Sequence, residues 1–107
     1  MFTIEKDVLG RISARLKAGF PERIVAVYAF GSKVRGNHSA WSDFDVLIIV
    51  RRRDPLIEHE IIDIFVDEEL QSGLIFTPVI KDAKAFEQEK DFHTPFYENI
   101  LKGGILF

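Results

Sequence analysis

Residues 43–50, DFDVLIIV, place two aspartates one residue apart at the mouth of a run that is otherwise apolar. A run of this length, rich in β-branched residues, reads as a β-strand, and on a strand residues i and i+2 face the same way. Asp43 and Asp45 therefore project together, and Phe44 points to the other side. Two carboxylates so close cannot both stay ionised without cost. A divalent cation removes the conflict: Mg2+ prefers oxygen ligands and commonly takes one or two protein carboxylates together with phosphate oxygens and water. The bland alternative is a strand start whose acids merely face water, and what lies upstream weakens it.

Upstream, residues 24–30, IVAVYAF, form another short apolar run of strand type, closed by Gly31-Ser32. Glycine lets the backbone approach a ligand closely. The N–H groups of such a turn can face phosphate oxygens, and the Ser32 hydroxyl can donate to another. Lys33 and Arg35 bring positive charge nearby, and the polar segment 33–42 must return the chain to the sheet, through one helical turn. Donors on one side and carboxylates on the other are the parts a metal-bound triphosphate needs.

The rest of the chain alternates helical and strand patterns. Ile4, Val8, Leu9, Ile12 and Leu16 fall at helical spacing over residues 4–18, with Thr3 as a cap and Gly19 and Pro21 as a stop. Asp54-Pro55 opens a second helix, with Ile57, Ile61, Ile64 and Phe65 as its buried stripe, Ile62 and Val66 widening it, and Gly73 ending it. Residues 74–80, LIFTPVI, are a third strand, which Pro78 assigns to an edge or a bulge. Asp82 caps a short helix through about Glu89, and the apolar tail packs back on the body with a turn at Gly103-Gly104. The order is α-β-β-α-β-α: an α/β (α+β) chain with a three-stranded sheet and helices against it.

A length of 107 residues fits a single domain spanning 1–107, and 47% hydrophobic with 29% charged residues is the balance of a folded chain. The absence of cysteine excludes disulfides and thiolate metal sites and is compatible with a cytoplasmic protein. No segment approaches the ~18 consecutive apolar residues of a membrane span. A net charge of −3 argues against an extended nucleic-acid surface but leaves room for a small basic pocket. Arg51-Arg52-Arg53 reads as a solvated turn balanced by Asp54 and Glu58. His59 and His93 lack metal-ligand spacing, His38 reads as a surface residue, and Trp41 as support for its loop. An exposed edge strand and the apolar tail leave a homodimer open.

Gly31-Ser32, ten residues, then Asp43-Phe44-Asp45 resembles the signature of the DNA polymerase β-like nucleotidyltransferase superfamily, and Arg35-Gly36 and Ser42 resemble its filled-out form. Length and element order are similar to its minimal nucleotidyltransferases, the MntA-like antitoxins. The resemblance implies a nucleotidyltransferase fold with a small mixed β-sheet and flanking helices. It implies that Gly31 and Ser32 grip the β- and γ-phosphates, with Arg35 as a further phosphate contact, and that Asp43 and Asp45 hold two Mg2+ ions. The implied reaction moves AMP from ATP to an acceptor hydroxyl and releases pyrophosphate. In the family that acceptor is often a tyrosine of a small helical HEPN-type toxin. The chain departs from the pattern in one place. The superfamily sets a third carboxylate on the next strand, where it helps deprotonate the acceptor. In LIFTPVIKD, Thr77 sits at about that place, Asp82 lies just past the strand, and Asp63 and Asp67 are helical. Either a substrate or partner supplies the missing group, or the chain is a degenerate module that binds a nucleotide or a partner without turnover.

Overall fold

A computed structural model describes residues 3–31 and 44–107 of the chain. The elements run α1 (Thr3–Gly19), β1 (Ile24–Phe30), β2 (Phe44–Val50), α2 (Pro55–Ser72), β3 (Phe76–Asp82), α3 (Ala83–Phe92), α4 (Pro95–Gly103) and β4 (Ile105–Leu106). The sheet is mixed, in the order β3-β2-β1-β4. β2 runs antiparallel to β1 and parallel to β3, with α2 as the crossover, and β4 pairs antiparallel with β1. Four strands replace the expected three, because Gly103-Gly104 returns the chain to the free edge of β1 at Tyr28 and Ala29.

β2 is central and covered on both faces, which explains its nearly unbroken apolar run. Phe44, Val46, Ile48 and Val50 join Val27 and Ala29 against α1 and α2, with Leu9, Ile12, Leu16, Ile61 and Phe65 at the centre. Leu47 and Ile49 face the other way, where Tyr28, Phe30, Val79, Phe86, Phe96 and Ile100 cover them. Pro78 is accommodated because β3 is an edge strand, where a missing N–H can point away from the neighbour.

The helix ends follow their local chemistry. Asp54 caps α2 through Ile57 N at 2.9 Å, Pro55 takes the first helical position, and Gly73 closes the helix in the left-handed region at φ 76°. Thr94-Pro95 repeats this device for α4, with the Thr94 hydroxyl accepting from Tyr97 N. Asp82 caps α3, accepting from the N–H groups of Lys84 and Ala85. The basic turn is tied down: Arg23 donates to the carbonyls of Arg51 and Arg52 and to the Asp54 carboxylate, and Arg53 pairs with Glu58. Asp54 is thus balanced by Arg23 rather than by the arginine run itself.

Two helices differ from their apolar patterns. At about 3.6 residues per turn, Glu5 falls at the middle of the stripe made by Val8, Leu9, Ile12 and Leu16, and Ile4 falls at its edge. Ile4 is accordingly 60% exposed while Glu5 is buried. On α2 the buried line is Ile57, Ile61, Phe65 and Glu68, and Ile62 and Val66 point outward instead of widening it. Glu68 is tolerated in that line because Arg11 and Arg15 of α1 reach its two oxygens at 2.9 and 3.0 Å. A buried carboxylate so paired avoids the penalty of an isolated charge, and the pairing ties α1 to α2.

The Asp54 carboxyl is held below its ordinary value by its hydrogen bond to Arg23 and by the Ile57 N–H, and Asp67 is held down by Arg15 and then Gln71. A depressed carboxyl pKa stabilises the fold above the unfolded value and loses that contribution as pH falls through the folded value. Asp54→Asn keeps a capping oxygen but removes the charge. In urea unfolding, the stability gap between wild type and Asp54→Asn is expected at pH 7 and should close progressively below about pH 4; a gap that did not narrow at all on acidification would contradict the ion-pair account.

Candidate functional site

β1 and β2 meet so that Phe30 pairs with Asp45, and β2 and β3 meet so that Asp45 pairs with Thr77. The row lies at the end of the sheet where β1 finishes and β2 and β3 begin. Gly31 follows Phe30 directly, with φ at 101°. That backbone conformation is strained for any residue with a Cβ. A Cβ built there would stand 2.6 Å from Asp45 Oδ2, closer than nonbonded atoms approach. Glycine is therefore required twice, for its backbone angle and for the space it yields to the carboxylate.

By strand alternation Asp45 and Thr77 share the face of Leu47 and Val79, the side on which α3 and α4 pack. Asp45 is half-buried and Thr77 exposed. Phe30, beside Asp45, contacts Phe96 at the start of α4 with ring centroids 5.5 Å apart. Lys81, further along β3, lies over the Phe96 ring at 4.2 Å and pairs with Glu89. An apolar, aromatic floor thus adjoins the carboxylate.

Ser32, Arg35 and Asp43 lie outside the described residues, as do Lys33, His38, Trp41 and Ser42. Of the expected site, the structure brings together Gly31, Asp45 and Thr77. It does not bring Asp82 to them. Asp82 pairs with Val50 at the opposite end of β2, five residues beyond Thr77 or about 16 Å at the usual strand rise, and its side chain caps α3. Asp63 and Asp67 are on α2, against the other face, where Asp63 neighbours His59 and Asp67 pairs with Arg15. The slot beside Asp45 on β3 is filled by Thr77, a residue with no carboxylate.

Among the described residues no three His, Cys, Asp or Glu side chains converge on one point. The donors present at the row are a carboxylate and a hydroxyl, both hard oxygens, which match Mg2+ rather than a softer metal. Gly31 leaves Asp45 Oδ2 unobstructed by a Cβ.

Glu5 escapes a pattern reading because its flanking apolar residues mask it. The chain reverses between α1 and β1, so the first turn of α1 lies toward the Gly31 end of the sheet. There Glu5 Oε2 is buried without a hydrogen-bond partner among the described residues, as is Ser13 Oγ further along the helix. The spacing Glu5-Val8-Leu9-Ile12 is the signal that finds it. A cavity of about 520 Å3 lined by Glu22, Arg51, Arg52, Asp82, Ala83 and Lys84 lies at the far end of the sheet and has no part in this row.

The sequence matches the family model described as a nucleotidyltransferase domain over residues 9–106. No curated protein matches it. Among solved structures, the fold is similar to that of a protein from Sulfolobus solfataricus, provisionally assigned as a nucleotidyltransferase, with a TM-score of 0.57 and 22% identity over 94% of this chain and 77% of that one. The family match spans α1 to β4 and includes Gly31, Asp45 and Thr77: this chain belongs to the nucleotidyltransferase domain family.

Proposed function

We propose that the chain transfers a nucleoside monophosphate, AMP from ATP, to a hydroxyl of a partner protein, and that it acts as the antitoxin of a HEPN-type toxin. The observation that carries the nucleotide site is the fit of Gly31 against the Asp45 carboxylate in register with Thr77. Asp45, with Asp43, would hold Mg2+, in the family two ions; Gly31, Ser32 and Arg35 would grip the phosphates. A metal held there would neutralise phosphate charge and would supply Lewis-acid stabilisation to the oxygens of an in-line displacement. In that displacement the acceptor oxygen bonds to the α-phosphorus, the bond to pyrophosphate breaks, and the acceptor proton is lost. The aromatic floor of Phe30 and Phe96 limits water on one side of the reacting centre.

Thr77 supports both the choice of acceptor and a second reading. A threonine cannot serve as a general base at neutral pH, so proton removal must come from the acceptor protein or from solvent. If neither serves, the chain binds Mg-ATP without turnover and acts by contact alone. Incubation with Mg-ATP and a HEPN-type protein, followed by intact-mass measurement, distinguishes the two. Gain of one AMP on the partner supports transfer; tight nucleotide binding without pyrophosphate release supports the second reading.

Asp45→Ala is expected to lower Mg-dependent transfer by roughly a hundredfold or more, with circular dichroism showing the chain still folded. Gly31→Ala should cost about 1–2 kcal/mol in backbone strain and weaken Mg-ATP binding by about tenfold, read by calorimetry. Thr77→Asp should raise transfer, by up to about a hundredfold, if the missing carboxylate alone limits the rate; unchanged pyrophosphate release would show that it does not.

A further inference from the structure

The outward side of α2 carries an apolar ridge that the described chain leaves uncovered. Ile62, Val66 and Leu70 follow one another at i, i+4 and i+8 and are 39%, 46% and 81% exposed. At about 3.6 residues per turn they lie opposite the buried line of Ile57, Ile61, Phe65 and Glu68. Leu56 at one end of the helix and Ile75 just beyond the other are also exposed. A helix with one face on a core ordinarily turns charged residues to water on the other. A contiguous apolar strip rimmed by polar groups marks a contact surface.

The rim selects the partner. α2 contains Glu58, Glu60, Asp63, Asp67, Glu68 and Glu69 and neither lysine nor arginine. Glu58, Asp67 and Glu68 have arginine partners from outside the helix. Asp63 has only His59 beside it, and among the described residues Glu60 has no cation partner. Two copies of this chain joined ridge to ridge would set like charges against each other. We propose that the ridge docks a cationic amphipathic helix of a partner protein, its apolar side chains over Ile62, Val66 and Leu70 and its lysines or arginines over Glu60 and Asp63. Recognition of this kind places anchors at helical spacing in an apolar seat and uses flanking charge for orientation and selectivity. α2 packs on the sheet face opposite Asp45, so the docked helix leaves Gly31, Asp45 and Thr77 uncovered. The proposal therefore does not depend on the transfer reaction.

The probe is a synthetic helical peptide of about 18 residues, the length of α2, with leucine at i and i+4 and lysine at the flanks. A twin carries glutamate in place of lysine. Titrated into the isotope-labelled chain, the lysine peptide should shift the amide resonances of α2 and lose affinity with added salt. Ile62→Ser/Leu70→Ser should weaken it by about tenfold or more, and so should Glu60→Lys/Asp63→Lys. All four positions are exposed, and circular dichroism should show both variants folded. Shifts confined to another element, undiminished binding by Ile62→Ser/Leu70→Ser, or equal binding of the glutamate twin would overturn the proposal. So would a concentration-dependent dimer in sedimentation that Ile62→Ser/Leu70→Ser abolishes, because it would assign the ridge to a second copy.

Discussion

The register of β2 between its two neighbours is the constraint on which the molecule turns. It sets Asp45 between Phe30 and Thr77, and a slip of one residue on either side would move the carboxylate to the opposite face. Both faces of β2 are packed, so such a slip would also turn Asp45, Leu47 and Ile49 toward α1 and α2, around Ile61 and Phe65, and bring Phe44 and Val46 to the face of the site. The cores that stabilise the sheet therefore also aim the acid. Gly31 adds a local lock, because only a residue without a Cβ fits against the carboxylate at that backbone angle.

Electrostatics follow the same division of labour. Where a charge enters the packed interior for structural reasons, it is matched: Glu68 has Arg11 and Arg15. The basic turn at residues 51–53 is fastened by Arg23, Asp54 and Glu58 and lies away from Asp45. Asp45 instead stands at the end of the sheet between Phe30 and Thr77, on the face away from α1 and α2.

Much of this architecture could be read from residues alone, because the signals were local. Asp54-Pro55 and Gly73 delimit α2 by cap chemistry, IVAVYAF by composition, and Pro78 by the donor it lacks. Thr77 was placed beside the aspartates by counting along the third strand, and the sheet register puts it next to Asp45. The misses have physical causes too. Thr94-Pro95 carries the same start signal as Asp54-Pro55, but α4 is short and its apolar residues lie close to a Gly-Gly turn, which blurs the helical period. Ile62, Val66 and Ile4 are apolar, and a pattern of apolar residues cannot say which ones another surface of the same chain covers. Asp82 looked near the site because sequence distance past a strand hides the direction in which that strand runs; β3 is parallel to β2, so its far end recedes from Asp45.

That parallel pairing also gives the sheet two closures of unequal length. β1 and β2 are antiparallel neighbours and meet by closing one loop. β3 can align only after α2 has carried the chain back across the sheet, a longer closure with a larger entropic toll on the rate. Gly31 and Asp45 thus lie on the pair with the shorter closure, and Thr77 on a strand that needs the longer one. The row of Phe30, Asp45 and Thr77 is complete only when both pairings of β2 are made.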